Sequence, residues 1–344
     1  MKSVKLISQQ KFGIIEEQFP KPDGRNNAII KIASVGICGS DMHYYKHGRI
    51  GDQVVEYPYA IGHEASGYIE SISGDPKNLK PGQLAAIEPA VSCGKCDQCK
   101  AGRPHTCRKI LFMGAPGQLE GLMKEYVEVP VENIFPVPET FSASDAAFVE
   151  PMSIGAYAVR VSHFSNDDDI GIIGVGPIGM SVLLSLKYGG HNRQYVWDKL
   201  DYRLDIAKQT GVKWIGNPDK IKIEDDLMKF LPEELDMVFE CCGEQDALNT
   251  ALKVLKPGGK LVIVGIPSVD RISFDMGYLR RKEITIINVR RQNHAVRDAI
   301  KIVDHFKPLD NFLITHSFTP DKTNDAFELV NNYEDNVIKA VVKF

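Results

Sequence analysis

Between residues 169 and 289 short apolar runs alternate with helical stretches, and this alternation restricts the fold more than any other feature of the chain. The runs DIGIIGV (169–175), QYVWD (194–198), VKWIG (212–216), LDMVFEC (235–241), KLVIVG (260–265) and EITIINV (283–289) read as strands. Helices are expected over 180–188, 202–210 and 247–255. Strands alternating with helices make βαβ units, which can only close into a parallel sheet covered on both faces. Six strands complete one doubly wound sheet, so this α/β segment is expected to be a finished domain.

The segment Gly174-Val175-Gly176-Pro177-Ile178-Gly179 is a GxGxxG, a weak signal when isolated. Here it follows the first apolar run and opens the first helix, and Asp198 ends the next run nineteen residues after Gly179. Together these three features point to a dinucleotide. The glycines allow a tight turn and close approach of a pyrophosphate to the positive amino terminus of a helix. A carboxylate at Asp198 accepts hydrogen bonds from ribose hydroxyls and repels a 2′-phosphate, which favours NAD over NADP, although Lys199 beside it moderates that preference.

The first 150 residues differ in texture. Short β-type runs at 28–36, 68–73, 83–88 and 124–129, separated by Gly, Pro and Asp, suggest an antiparallel, barrel-like domain. A length of 344 residues agrees with two domains, because single cores rarely grow past roughly 250–300 residues. The tail carries a helical stretch at 294–306 and the short strands LITHSF and KAVVKF, and it is expected to return and complete the first domain.

Four of the seven cysteines, Cys93, Cys96, Cys99 and Cys107, fall within fifteen residues. Their segment is too polar for a core, and four thiolates without histidine favour a closed tetrahedral zinc site with a structural role. An iron–sulfur loop is the rival reading. A second metal signal is scattered over Cys38, His63, Glu64 and Glu150. One thiolate, one imidazole and carboxylates are the mixed donors that leave zinc an exchangeable position, but spacing alone does not bring them together. Cys241 and Cys242 read as core thiols ending a buried strand.

With 41 basic and 45 acidic residues and 43% hydrophobic content, the chain lacks the basic excess of a nucleic-acid binder and the polarity of a disordered one. A zinc-ribbon module that grips nucleic acid would rest only on Lys95, Lys100, Arg103, Arg108 and Lys109 around the cysteines. No apolar run is long enough to span a membrane, and the first residues lack the apolar core of a signal peptide, so a cytoplasmic location is expected.

Gly36-Ile37-Cys38-Gly39-Ser40-Asp41, Gly62-His63-Glu64-Ala65-Ser66-Gly67, the four-cysteine lobe, VEPMSIG and the late GxGxxG stand in the order found in zinc-dependent medium-chain dehydrogenases. Within that family the chain resembles the sorbitol (L-iditol 2-) dehydrogenases and related polyol enzymes over essentially its whole length. The resemblance implies a GroES-like β-barrel catalytic domain (1–155, completed by 290–344), a Rossmann domain (156–289), and a catalytic zinc in the cleft between them. It implies two zinc ions per chain and NAD as cofactor. Cys38, His63 and Glu64 match catalytic zinc positions, and Glu150 matches a carboxylate reaching that zinc directly or through water. Ser40 and His43 match a proton relay. Asp198 and Arg203 match adenosine-ribose contacts, and Gly265, Ile266 and Val289 match further cofactor contacts. Tyr44, Phe112 and Arg290 fall where polyol dehydrogenases contact substrate.

The implied activity is oxidation of a secondary hydroxyl of a polyol to the ketose by a homotetramer or homodimer. The sequence departs from the sorbitol pattern at Val289-Arg290-Arg291, where that subgroup has Phe-Arg-Tyr. Arg291 beside Arg290 could pair a carboxylate, so a sugar acid (a hexonate such as L-galactonate) is the alternative substrate. A non-catalytic dinucleotide sensor is the alternative from another class, and the intact Cys38, Ser40, His63 and Glu64 argue against it.

Overall fold

A computed structural model describes residues 1–21, 26–267, 269 and 271–344. The chain divides into two compact units, Met1–Glu150 with Val303–Phe344, and Pro151–Ile302.

The first unit is built on a seven-stranded, mainly antiparallel sheet. Its order is Ile134–Pro136, Leu84–Ile87, Glu64–Ser73, Asn27–Gly36, Lys339–Lys343 and Ile314–Phe318, with Tyr126–Pro130 also paired to Asn27–Gly36. The long strand Asn27–Gly36 is therefore central, and its buried Ile30, Ile32 and Val35 pack with Leu6, Ile61, Ile69, Met123 and Phe327. Two pairings fix the chemistry at its carboxyl end. Gly36 lies opposite Glu64 on one neighbour and opposite Val341 on the other. The pairing continues past the strand through Ile37 N–H to Ala340 O at 3.0 Å, so the tail strand runs alongside Cys38. The tail strands Ile314–Phe318 and Lys339–Lys343 both belong to this sheet.

The second unit holds a six-stranded parallel sheet in the order Trp214–Gly216, Gln194–Trp197, Ile170–Ile173, Leu235–Glu240, Leu255–Ile263 and Thr285–Asn288. Strand order reverses between Ile170–Ile173 and Leu235–Glu240, the crevice where doubly wound sheets take ligands. Trp197, Leu235, Val238, Leu248, Leu252 and Leu261 form part of its core. This unit runs to Ile302, beyond the Val289 boundary expected from the strand pattern. The cause is local: Arg160, in the helix Val149–Ser162, donates to the carbonyls of Asn293 and His294 and lies 3.6 Å from Asp298, tying the segment after the last strand to its own unit. Among the described residues no helix is long and apolar enough to cross a membrane.

Candidate functional site

The four clustered cysteines lie in a lobe that leaves the first unit through the short antiparallel pair Ala90–Val91 and Leu111–Phe112. Their sulfurs lie within 4.8 Å of one another, with Cys96 Sγ 3.6 Å from Cys99 Sγ and 3.8 Å from Cys107 Sγ. A tetrahedron with Zn–S bonds of about 2.3 Å has an edge of about 3.8 Å, so the set fits one zinc ion. Disulfides are far shorter, and an iron–sulfur cluster needs its thiolates spread around a larger body. Backbone N–H groups of Cys93 and Lys109 each donate to Cys107 Sγ at 3.3 Å. N–H groups of Cys99 and Arg108 lower the Cys96 thiol to about 6, whereas desolvation and the neighbouring thiols raise Cys99 to about 11.

The scattered donors also meet. Cys38, His63 and Glu64 present ligand atoms within 4.8 Å of one another. The sheet accounts for this: Cys38 follows the central strand, and Glu64 opens the neighbouring strand opposite Gly36. A Cβ on Gly36 would lie 2.3 Å from Glu64 Oε2, so only glycine leaves room for the carboxylate. Glu150 lies outside this triplet, in the first turn of the helix Val149–Ser162. Its carboxyl is buried and pushed up to about 8 by desolvation, with His63 opposing and Glu64 and Glu88 reinforcing the rise.

Asp41, three residues after Cys38 and without an expected role, organises the triplet through its contacts. It is fully buried. Its Oδ2 accepts from Cys38 N–H at 3.0 Å and its Oδ1 from Gly62 N–H at 3.2 Å. The same Oδ1 lies 3.4 Å from His63 Nδ1, which leaves Nε2 as the nitrogen for a metal. Burial disfavours a charged His63, but the neighbouring Asp41 and Cys38 outweigh it and hold the imidazole well above its usual range. Surroundings that retain a proton so strongly suit a cation in its place. A second residue the sequence reading missed is Lys339, whose buried Nζ lies 2.9 and 2.6 Å from the two Glu64 oxygens.

The remaining expected residues of this unit are less uniform. The Phe112 ring centroid is 5.2 Å from that of His63, so the cysteine lobe supplies an apolar wall to the triplet. Ser40 and His43 are half-buried on the helix Gly39–His47, and desolvation, His47 and Lys46 together lower His43. Tyr44 faces the core, and its hydroxyl donates to Gln53 Oε1 at 2.8 Å.

In the second unit Gly176 caps the helix Pro177–Tyr188, and Pro177 occupies its first turn with Ile178 following. A Cβ on Gly179 would lie 1.8 Å from Gly174 O, so the loop cannot close with any other residue there. Asp198 Oδ2 accepts from Val175 N–H at 2.8 Å and Oδ1 from Leu200 N–H at 2.9 Å, which ties the carboxylate to the glycine loop. Each oxygen retains a lone pair for a ribose hydroxyl. Arg203 Nη1 is 3.8 Å from Asp198 Oδ2 and packs over Gly176. Gly265 and Val289 sit just beyond the carboxyl ends of their strands, Val289 N–H donating to Ile263 O at 2.9 Å, and Ile266 is exposed. Arg290 is exposed, and Arg291 is half-buried.

Comparison with known proteins matches this arrangement. Residues 24–139 match the family described as Alcohol dehydrogenase GroES-like domain, and residues 177–305 match Zinc-binding dehydrogenase. A sorbitol dehydrogenase of Bacillus subtilis (strain 168) is 33% identical over 331 residues, 95% of this chain and 93% of that protein. The chain belongs to the zinc-dependent medium-chain dehydrogenases. This dehydrogenase is also similar to an L-idonate 5-dehydrogenase of Vitis vinifera, 31% identical with 89% of this chain and 85% of that protein covered. Among solved structures, a short chain alcohol dehydrogenase from Escherichia coli CFT073 complexed with NADH superposes with a TM-score of 0.89 at 27% identity, covering 100% of the dehydrogenase and 99% of that chain.

Proposed function

We propose that the protein is a zinc-dependent, NAD-linked polyol dehydrogenase that oxidises a secondary hydroxyl to the ketone. The observation that carries this reading is the convergence of Cys38, His63 and Glu64, three different donors whose ligand atoms lie within 4.8 Å of one another. Such a mixed set leaves a metal with an exchangeable position, whereas the four-thiolate lobe is closed. When bound, zinc supplies Lewis-acid polarisation of the substrate hydroxyl, and NAD supplies the hydride acceptor.

The chain's own residues supply the rest. Asp41 fixes the His63 ring and the backbone at Cys38 and Gly62. Glu150, a buried carboxyl that interacts electrostatically with His63 and Glu64, is the carboxylate that would reach the metal directly or through water. His43, lowered by desolvation and its cationic neighbours, stays neutral near pH 7 and can accept the hydroxyl proton passed by Ser40. Asp198, anchored to the glycine loop, favours the ribose hydroxyls of NAD, and Gly174, Gly176 and Gly179 let a pyrophosphate approach the helix amino terminus. Phe112, its ring 5.2 Å from that of His63, offers an apolar face beside the triplet.

Polyols are favoured by the sorbitol dehydrogenase likeness. A sugar acid is the second reading, supported by the adjacent Arg290 and Arg291 and by the L-idonate 5-dehydrogenase likeness. A homotetramer or homodimer is supported by the edge strand Thr285–Asn288, which among the described residues pairs on one side only, with Leu255–Ile263. A cytoplasmic location is supported by the clustered cysteines, a pattern that in a reducing compartment serves metal binding.

The test is NAD reduction by zinc-loaded protein across polyols, matched hexonates and threonine, for wild type and Arg291→Tyr. Polyol turnover that survives Arg291→Tyr is the expected result. Hexonate turnover lost selectively in the variant would replace it with the sugar-acid reading, and no turnover of any alcohol would refute both.

A further inference from the structure

The buried ion pair between Lys339 and Glu64 has no part in the chemistry above. Lys339 belongs to the tail strand and is 3% exposed. Its Nζ donates to both carboxylate oxygens of Glu64 and, at 3.0 Å, to Ile37 O, so all three ammonium protons are used inside the fold. The strand register explains the position: Val341 opposes Gly36, Ala340 O accepts from Ile37, and Lys339 arrives beside Cys38. A lysine is rarely this buried unless an anion requires it.

Glu64 thereby faces two cations. It belongs to the triplet that can hold a metal, and it is also chelated by an ammonium. We propose that Lys339 is a positioning residue that stands in for the metal at Glu64 when the site is empty and competes with it when the site is filled. In the metal-free protein the ammonium prevents Glu64 from being a buried, unpaired charge, and the triplet stays assembled. In the loaded protein a carboxylate already accepting from an ammonium is a weaker donor to the metal. The metal is held less tightly and keeps more of its Lewis acidity for an exchangeable ligand.

This rests on the reading that Cys38, His63 and Glu64 hold a metal. It separates from a merely structural ion pair by the sign of one quantity. A structural pair, once broken, should loosen the site and weaken metal binding. A competing cation, once removed, should strengthen it.

The experiment uses the full-length protein and its Lys339→Met variant, measuring zinc affinity at the mixed site by competition with a chromophoric chelator, melting with and without zinc, and turnover. The expected result is a tighter mixed site in the variant by about tenfold or more, because a positive charge that repels the metal is gone. Its metal-free form should melt lower than wild type, with much of the difference recovered on adding zinc. Its kcat should fall while the KM for NAD is unchanged. If Lys339→Met does not fold, Lys339→Gln, which keeps a neutral hydrogen-bond donor for Glu64, carries the same affinity measurement: tighter zinc at the mixed site supports the proposal, and unchanged or weaker zinc refutes it. A wild-type chain that binds only one zinc would remove the metal reading itself. Two zincs in the wild type with unchanged or weaker binding in Lys339→Met would refute the proposal and leave that reading intact.

Discussion

Replacing Asp41 with Asn tests whether one buried carboxylate holds the metal triplet in order. The wild-type side chain accepts from Cys38 N–H through one oxygen, and through the other it accepts from Gly62 N–H and faces His63 Nδ1. An amide of the same shape has one oxygen and one NH2 group, so either orientation sets a donor against a donor. With the oxygen toward Cys38, Gly62 and His63 lose their acceptor; with the amide reversed, Cys38 N–H loses its own. One buried N–H left unpaired costs about 1–3 kcal/mol, and the surviving bonds lose their charge assistance. A total of roughly 2–4 kcal/mol is expected, which lowers the melting temperature of a domain this size by roughly 4–16 °C. The metal should respond separately, because an imidazole without its carboxylate partner is free to rotate. Affinity at the mixed site should drop by about 10- to 100-fold. Chelator competition on the purified variant gives the affinity and circular dichroism the melting temperature. Zinc affinity within twofold of wild type, with unchanged melting, would refute the argument that Asp41 organises the site.

Two further outcomes are expected. Cys96→Ser should reduce zinc content from two ions per chain to one and open the lobe at residues 93–107 to proteolysis, because structural zinc contributes folding energy locally; intact lobe and full zinc content would contradict the four-thiolate site. His191 supplies a pH dependence in the second unit. It is buried, its Nε2–H donates to Asp168 O at 2.8 Å, its Nδ1 accepts from Gln194 at 3.0 Å, and desolvation lowers it below 6.5. The unfolded chain therefore binds a proton that the folded one refuses, and stability should fall as pH drops below about 6.5. Urea titrations of wild type and His191→Gln between pH 7.5 and 5 should show that slope flattened in the variant.

The second unit was largely legible in the sequence because each of its strands is a short apolar run closed by a turn. The helix Ile223–Phe230 escaped that reading, since IEDDLMKF buries only Ile223 and Leu227 and its first turn is wholly acidic. In the first unit the hairpin Lys2–Ser8 with Lys11–Glu16 was missed, because alternation over so few residues is indistinct. The cysteine lobe declared itself, with all its ligands local. The mixed triplet did not, because Cys38 and Glu64 become neighbours only through strand pairing. Asp41 lay in the quoted motif, three residues from Cys38, yet nothing local shows a buried aspartate's partner. Lys339 carried no signal at all: it meets Glu64 across 275 positions of chain.

That separation imposes an order on the protein's birth. At about 5–20 residues per second a ribosome needs roughly 15–55 s to travel from Glu64 to Lys339. During that interval the contiguous residues 151–302 emerge and can fold as a unit, while the strand Asn27–Gly36 waits with part of one edge unpaired. The four-thiolate lobe can take its metal early, because its ligands arrive within moments of each other. The donors of the mixed site, Cys38, His63 and Glu64, are also made early, so through that interval Glu64 is open to a metal before its lysine arrives to share it.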